Sequence, residues 1–236
     1  MEFGEQNVLK DVSFEIAEQE IVSIIGPNGA GKTTLFNIIC GQVKPTRGNI
    51  RFHGEDITGW PAHRICRAGI ARTFQNARPF PEMSAEENVL VGIRFGRKTD
   101  AERPENARGA IEMLELVGLG HKARTRAKYL TLSELRRLEV ARALATRPHL
   151  LLLDEIAAGL SPQAIKHAVE LVRTLRARGL TLLIIDHFLN LTAEVSDRLI
   201  ALDQGEKIVE GKPSEVLECS EVISAYFGER HQTSES

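Results

Sequence analysis

An α/β fold on a largely parallel sheet is predicted for this 236-residue chain by its apolar runs, by what separates them, and by one glycine-rich turn. The runs IVSIIG at 21–26, HLLLLD at 149–154 and LTLLIID at 180–186 have strand length and are bracketed by Gly, Pro or charge. Each is apolar throughout rather than alternating, the pattern of parallel strands covered on both faces. Helical patterns lie between them, and strands alternating with helices place ligands at the carboxyl ends of the strands.

The first run leads directly into Gly26-Pro27-Asn28-Gly29-Ala30-Gly31-Lys32-Thr33, and a helical pattern follows from Lys32 to Cys40. This is the GxxxxGK[ST] phosphate loop between the strand and the helix that it requires. Four fixed positions of these types arise by chance in a chain this long on the order of 1% of the time, given ordinary glycine usage. The glycines let successive N–H groups turn inward toward phosphate oxygens, and the helix start adds the positive end of its dipole. The candidate phosphate-binding residues are therefore Gly26, Pro27, Asn28, Gly29, Ala30, Gly31, Lys32, Thr33 and Thr34. Lys32 would reach the β- and γ-phosphates of a nucleoside triphosphate, and the Thr33 hydroxyl would hold Mg²⁺.

Residues roughly 76–140 read as a mainly helical insertion and candidate second lobe, with a charged surface loop GIRFGRKTDAER expected at 92–103 before a helical pattern from Pro104 to Val117. A further helix is expected from Ser133 to Ala145, with Leu135, Leu138, Val140, Ala141 and Leu144 as its apolar face and Arg136, Arg137 and Arg142 supplying positive charge. The run at 149–154 then ends in two carboxylates. Asp154, at the strand end beside the phosphate loop, is placed to position Mg²⁺ or its waters. Glu155, pointing the other way by strand alternation, is the candidate general base. A helix over Pro162–Ala177 turns Ile165, Ala168, Val169, Val172 and Leu175 inward beneath a basic outer face. Residues 1–228 read as one domain, and 229–236 as a polar tail.

Composition narrows the partners. A net charge of −2 gives no reason to expect nucleic acid. Cys40, Cys66 and Cys219 are too scattered for a disulfide framework or a zinc site. No run approaches the length of a membrane span, so the expectation is a cytoplasmic chain or one docked on a membrane from outside.

The order of motifs from Phe3 to about Gly228 resembles the ATP-binding subunit of ABC transporters. That resemblance implies a P-loop core of RecA-like type, a helical subdomain and a small antiparallel β lobe. In GIARTFQNARPFPEMSAEENV, Gln75 falls at the family's Q-loop glutamine, a Mg²⁺ and water ligand that also couples to the membrane partner. In LLIIDH, His187 falls at the switch histidine that contacts the γ-phosphate and attacking water. Phe3 stands where an aromatic ring stacks on adenine, and AGLSP at 158–162 is the D-loop region. The words RTFQN, PFPEMSAEENV and GLSP are most similar to the ATPases of branched-chain amino acid importers. Lipopolysaccharide-export ATPases share much of the pattern, and a regulatory or non-transport ATPase with a weakened signature is the alternative. The resemblance further implies ATP and Mg²⁺ as ligands, a second ATPase subunit making a homo- or heterodimer, transmembrane permease subunits, and indirectly a solute-binding protein. The chain would then lie on the inner face of the cell membrane.

The sequence departs from the family at its signature, commonly LSGGQ. Leu130-Thr131-Leu132-Ser133-Glu134 occupies that position, so Thr131, Leu132, Ser133 and Glu134 are the segment that would meet ATP held by the other subunit. Thr131 keeps a hydroxyl and Ser133 is a good N-cap. Both glycines are gone, so Leu132 must point away from nucleotide, and the Glu134 carboxylate would repel phosphate if it faced it. Ile156 replaces the usual proline after the acidic pair, and Ser161 the usual D-loop aspartate. The sequence leaves no room for the family's strand before Phe3: either its start is mis-assigned or truncated, or the sheet edge is shorter, with lower stability or exposed edge pairing expected in that lobe.

Overall fold

The computed structural model describes residues 8–74, 79–96, 106–157 and 161–227. Its main sheet runs in the order β4-β5-β6-β1-β7-β8, formed by β1 (Ile21–Ile25), β4 (Ile70–Arg72), β5 (Leu150–Asp154), β6 (Thr181–Ile185), β7 (Arg198–Asp203) and β8 (Glu206–Gly211). All neighbouring pairs are parallel except β7 with β8. Two two-residue strands, β2 (Arg51–Phe52) and β3 (Glu55–Asp56), pair antiparallel apart from this sheet.

The continuous apolar runs follow from coverage on both faces. Every residue of β1 and β5 is buried. Val22 and Ile24 of β1, Leu150 and Leu152 of β5, and Leu183 and Ile185 of β6 share one core with Phe36 of α1 (Lys32–Ile39) and Ile65 of α2 (Ala62–Ala68). Alternate residues, Ile21, Leu151, Leu153, Leu182 and Ile184, enter the opposite core. That core takes in α3 (Ala85–Phe95), α4 (Asn106–Leu116), α5 (Leu132–Ala145), α6 (Pro162–Ala177) and α7 (Leu189–Val195). Each such aliphatic side chain contributes about 1.5–3 kcal/mol by leaving water. α8 (Pro213–Leu217) and α9 (Ser220–Phe227) cover β1 and β7 through Val216 and Val222, which pack with Ile25, Leu199 and Ala201.

Three of the main-sheet strands and four helices follow the expected patterns, and β4, β7 and β8 are additions. In α6, Val169, Val172 and Leu175 are buried, with Ile165 and Ala168 packed against the same core. β4 is too short for periodicity to show. β8 alternates weakly because its antiparallel edge position leaves it half-buried. Phe3, Gln75 and the segment 158–160 of the D-loop region lie outside the described residues. Among the described residues no helix is long and apolar enough to cross a membrane. All three cysteines are free thiols.

Candidate functional site

Three strand ends carry the site. Gly26 follows β1 at φ 150°, and a Cβ there would come within 2.1 Å of the Leu202 carbonyl oxygen. Only glycine lets the loop leave the strand at this point. Its amide donates to the Tyr226 hydroxyl at 2.6 Å, and its carbonyl accepts from Lys32 Nζ at 2.6 Å. Gly31 caps α1 in the left-handed region, φ 99°. Lys32 also donates to the Pro27 carbonyl at 2.8 Å. Burial lowers the pKa of this ammonium, while the charges of Glu155 and Asp154 pull it back up. A desolvated cation thus sits in the field of the acidic pair. Thr33 is exposed and Thr34 half-buried at the start of α1.

Asp154 ends β5, 6% exposed. Its amide donates to Thr73 Oγ1 at 3.1 Å, and its Oδ2 accepts from Arg72 at 2.7 Å. Burial raises its pKa, opposed by the hydrogen bond and charge of Arg72.

Glu155 is oriented by a turn, which corrects the expectation of strand alternation. β5 stops at Asp154, and Glu155 adopts φ 51°. Its amide still donates to the Ile185 carbonyl at 2.7 Å. This left-handed turn brings Glu155 Oε1 to 3.0 Å from His187 Nε2, so the residue after β5 meets the second residue after β6. The buried Asp186 carboxylate holds both turns: it accepts from the Ala157 amide at 2.9 Å and the Phe188 amide at 3.0 Å. Sequence reasoning missed Asp186, Arg72 and Tyr226. The first was visible as an acid beside His187 and the second as the opening residue of RTFQN, whereas Tyr226 had no motif to mark it.

The signature segment opens α5 differently from expectation. Thr131 is the N-cap, and Ser133 lies within the helix. Thr131 Oγ1 accepts from the Glu134 amide at 3.3 Å, and Glu134 Oε2 accepts from the Thr131 amide at 2.9 Å, a reciprocal capping box. Glu134 Oε1 also pairs with Lys122 Nζ at 2.5 Å. The Lys122 hydrogen bond is the main cause that holds this carboxyl down at about 2. The carboxylate is thus tied to its own chain. Leu132, 56% exposed, faces outward. The arginines expected to lend positive charge are engaged within the chain: Arg136 with the Glu155 carbonyl at 3.4 Å, Arg137 with the Val117 carbonyl at 3.4 Å, and Arg142 over the Phe80 ring at 5.1 Å. Ser161 caps α6, accepting from the Ala164 amide at 3.3 Å.

A phosphate loop beside an acidic strand end and a Glu–His pair, on a sheet covered on both faces, defines a nucleotide-binding α/β protein that can hydrolyse its ligand. Residues 9–158 match the ABC transporter family. The chain belongs to that family, as an ATPase subunit carrying the cassette. It is 42% identical to the high-affinity branched-chain amino acid transport ATP-binding protein LivG of Salmonella typhimurium, over 97% of this chain and 95% of that one. It is 40% identical to the corresponding BraF of Pseudomonas aeruginosa, with the same coverage. The ADP conformation of MJ1267, an ATP-binding cassette of an ABC transporter, superposes with a TM-score of 0.87 at 32% identity, over 96% of this chain and 94% of that one.

Proposed function

We propose that this chain energises the import of branched-chain amino acids or related small solutes, docked through permease subunits on the inner face of the cell membrane. The relatives that carry this transport in their names align along nearly the whole chain, which supports the solute class. The observation that carries the chemistry is the 3.0 Å contact between Glu155 and His187, beside a lysine-bearing phosphate loop.

In this reading ATP lies along Gly26 to Thr34, with Phe3 stacked on the adenine. Lys32 exchanges its carbonyl contacts for the β- and γ-phosphates. The Thr33 hydroxyl and Asp154 carboxylate are hard oxygen donors that suit Mg²⁺, with Gln75 as a further ligand. Bound there, Mg²⁺ would neutralise charge on the β- and γ-oxygens. Glu155 takes the proton of the attacking water, and His187, held by the Asp186 turn, orients that water and the γ-phosphate. Thr131, Leu132, Ser133 and Glu134 open the helix that meets the nucleotide of a second cassette, homo- or heteromeric, with Leu132 turned away from that nucleotide, and Ser161 lies at that interface. The inward turn of the Glu134 carboxylate removes its repulsion from such a contact.

A general base is worth about 10²–10⁴-fold in rate. Glu155→Gln should therefore lower the ATPase of the assembled transporter by at least about 100-fold while ATP still binds, and Lys32→Ala should weaken binding itself. Proteoliposomes with the permease and binding protein should accumulate leucine only with the unmodified chain. Turnover by a Lys32→Ala, Glu155→Gln double variant equal to that of the unmodified chain would sink the assignment.

A further inference from the structure

Arg72 opens the word RTFQN, in which only Gln75 has been given a role. It ends β4 with its side chain 6% exposed. One terminal nitrogen donates to Asp154 Oδ2 at 2.7 Å, and the other to Asn37 Oδ1 at 2.6 Å. The guanidinium carbon lies 5.4 Å from the Phe36 ring centroid and 5.2 Å from that of Phe74. Nε is buried without a hydrogen-bond partner. Burying a guanidinium with one donor unsatisfied is costly, so the two bonds it does make must offset a real penalty.

What those bonds join is specific. Asn37 lies one helical turn beyond Thr33 on the same face of α1, and Asp154 is the end of β5. A planar fork with fixed N–H directions therefore spans the helix that carries Thr33 and the strand that carries Asp154. It occupies Oδ2 and leaves Oδ1 for another partner.

We propose that Arg72 is a positioning residue for the Mg²⁺ site: its guanidinium fixes the spacing of α1 from β5 and the orientation of the Asp154 carboxylate. This rests on the reading of Thr33 and Asp154 as the groups flanking Mg²⁺. A lysine at position 72 keeps the charge but is a single point that cannot hold both oxygens in fixed directions.

The test titrates Mn²⁺ into the full-length chain with a non-hydrolysable ATP analogue, counting free Mn²⁺ by electron paramagnetic resonance, so that turnover is not the readout. Partners that orient metal ligands typically matter by 10–100-fold in metal affinity. Arg72→Lys should thus weaken Mn²⁺ binding about ten-fold or more, with metal-free nucleotide affinity unchanged. Asn37→Ala, at a half-buried position, breaks only the α1 bond and should weaken it in the same direction with the fold retained by circular dichroism. Unchanged Mn²⁺ affinity in both variants, alongside a loss in Asp154→Asn, overturns the role of Arg72. An Asp154→Asn variant that binds Mn²⁺ like the unmodified chain instead overturns the metal-site reading itself.

Discussion

Single side chains set the chemistry here through pairs that the linear order hides. The Glu155 and His187 pair depends on Asp186, whose two carboxylate oxygens each take an amide from a different turn. Asp186→Ala leaves the buried Ala157 amide unmet, at about 1–3 kcal/mol, and frees the part-buried Phe188 amide, and it should lower turnover more than it lowers ATP affinity. A matched fall in both would show that the turn only supports the fold. Glu134 gives the chain an acid-sensitive contact. Its folded value of about 2 lies below its ordinary 4.5, so its stabilisation is present above pH 4.5 and is lost as pH falls through 2. Urea midpoints should therefore drop more steeply in the unmodified chain than in Glu134→Gln over that window. Parallel curves would remove Glu134 as a contributor.

Among the elements, α5 shows how near the local signals come to the observed start. Thr131 and Ser133 are both capping types, and the sequence reading favours Ser133. The Thr131-x-x-Glu134 spacing is itself a capping-box signature, and the reciprocal bond decides for Thr131. Thr131→Ala should cost about 1 kcal/mol in urea unfolding, whereas Ser133→Ala should cost much less. α9 has no such marker in the sequence. Its Tyr226 hydroxyl reaches the amide of Gly26 across 200 residues, a contact that depends on how the chain returns to the sheet. Tyr226→Phe keeps the ring and should speed hydrogen exchange at the Gly26 amide. Exchange at the unmodified rate would show that another group protects it.

Over the whole molecule, the strand order decides which residues meet. β5, β6 and β1 are adjacent, so Asp154, Glu155, His187 and the phosphate loop gather at one edge although they span more than 150 positions of sequence. In the signature segment Thr131 and Leu132 are exposed, while Ser133 is half-buried and Glu134 buried. In the proposed two-cassette site, Ser133→Glu should leave the chain's own ATP affinity unchanged while ATPase of the assembled transporter falls about 100-fold or more, the scale of a lost donor to a reacting oxyanion. A loss of affinity in the isolated chain would mean that the segment serves its own nucleotide.

The sequence by itself determined the parallel α/β class, the phosphate loop and the acidic strand end, because each is local: a run of apolar residues, a glycine spacing, a pair of carboxylates. It also marked His187, through its place in an ordered set. Tertiary structure alone decided the direction of Glu155, the inward turn of Glu134, and the partners of Arg72 and Tyr226. Those depend on a left-handed turn and on contacts between distant elements, and neither leaves a periodic trace in the chain.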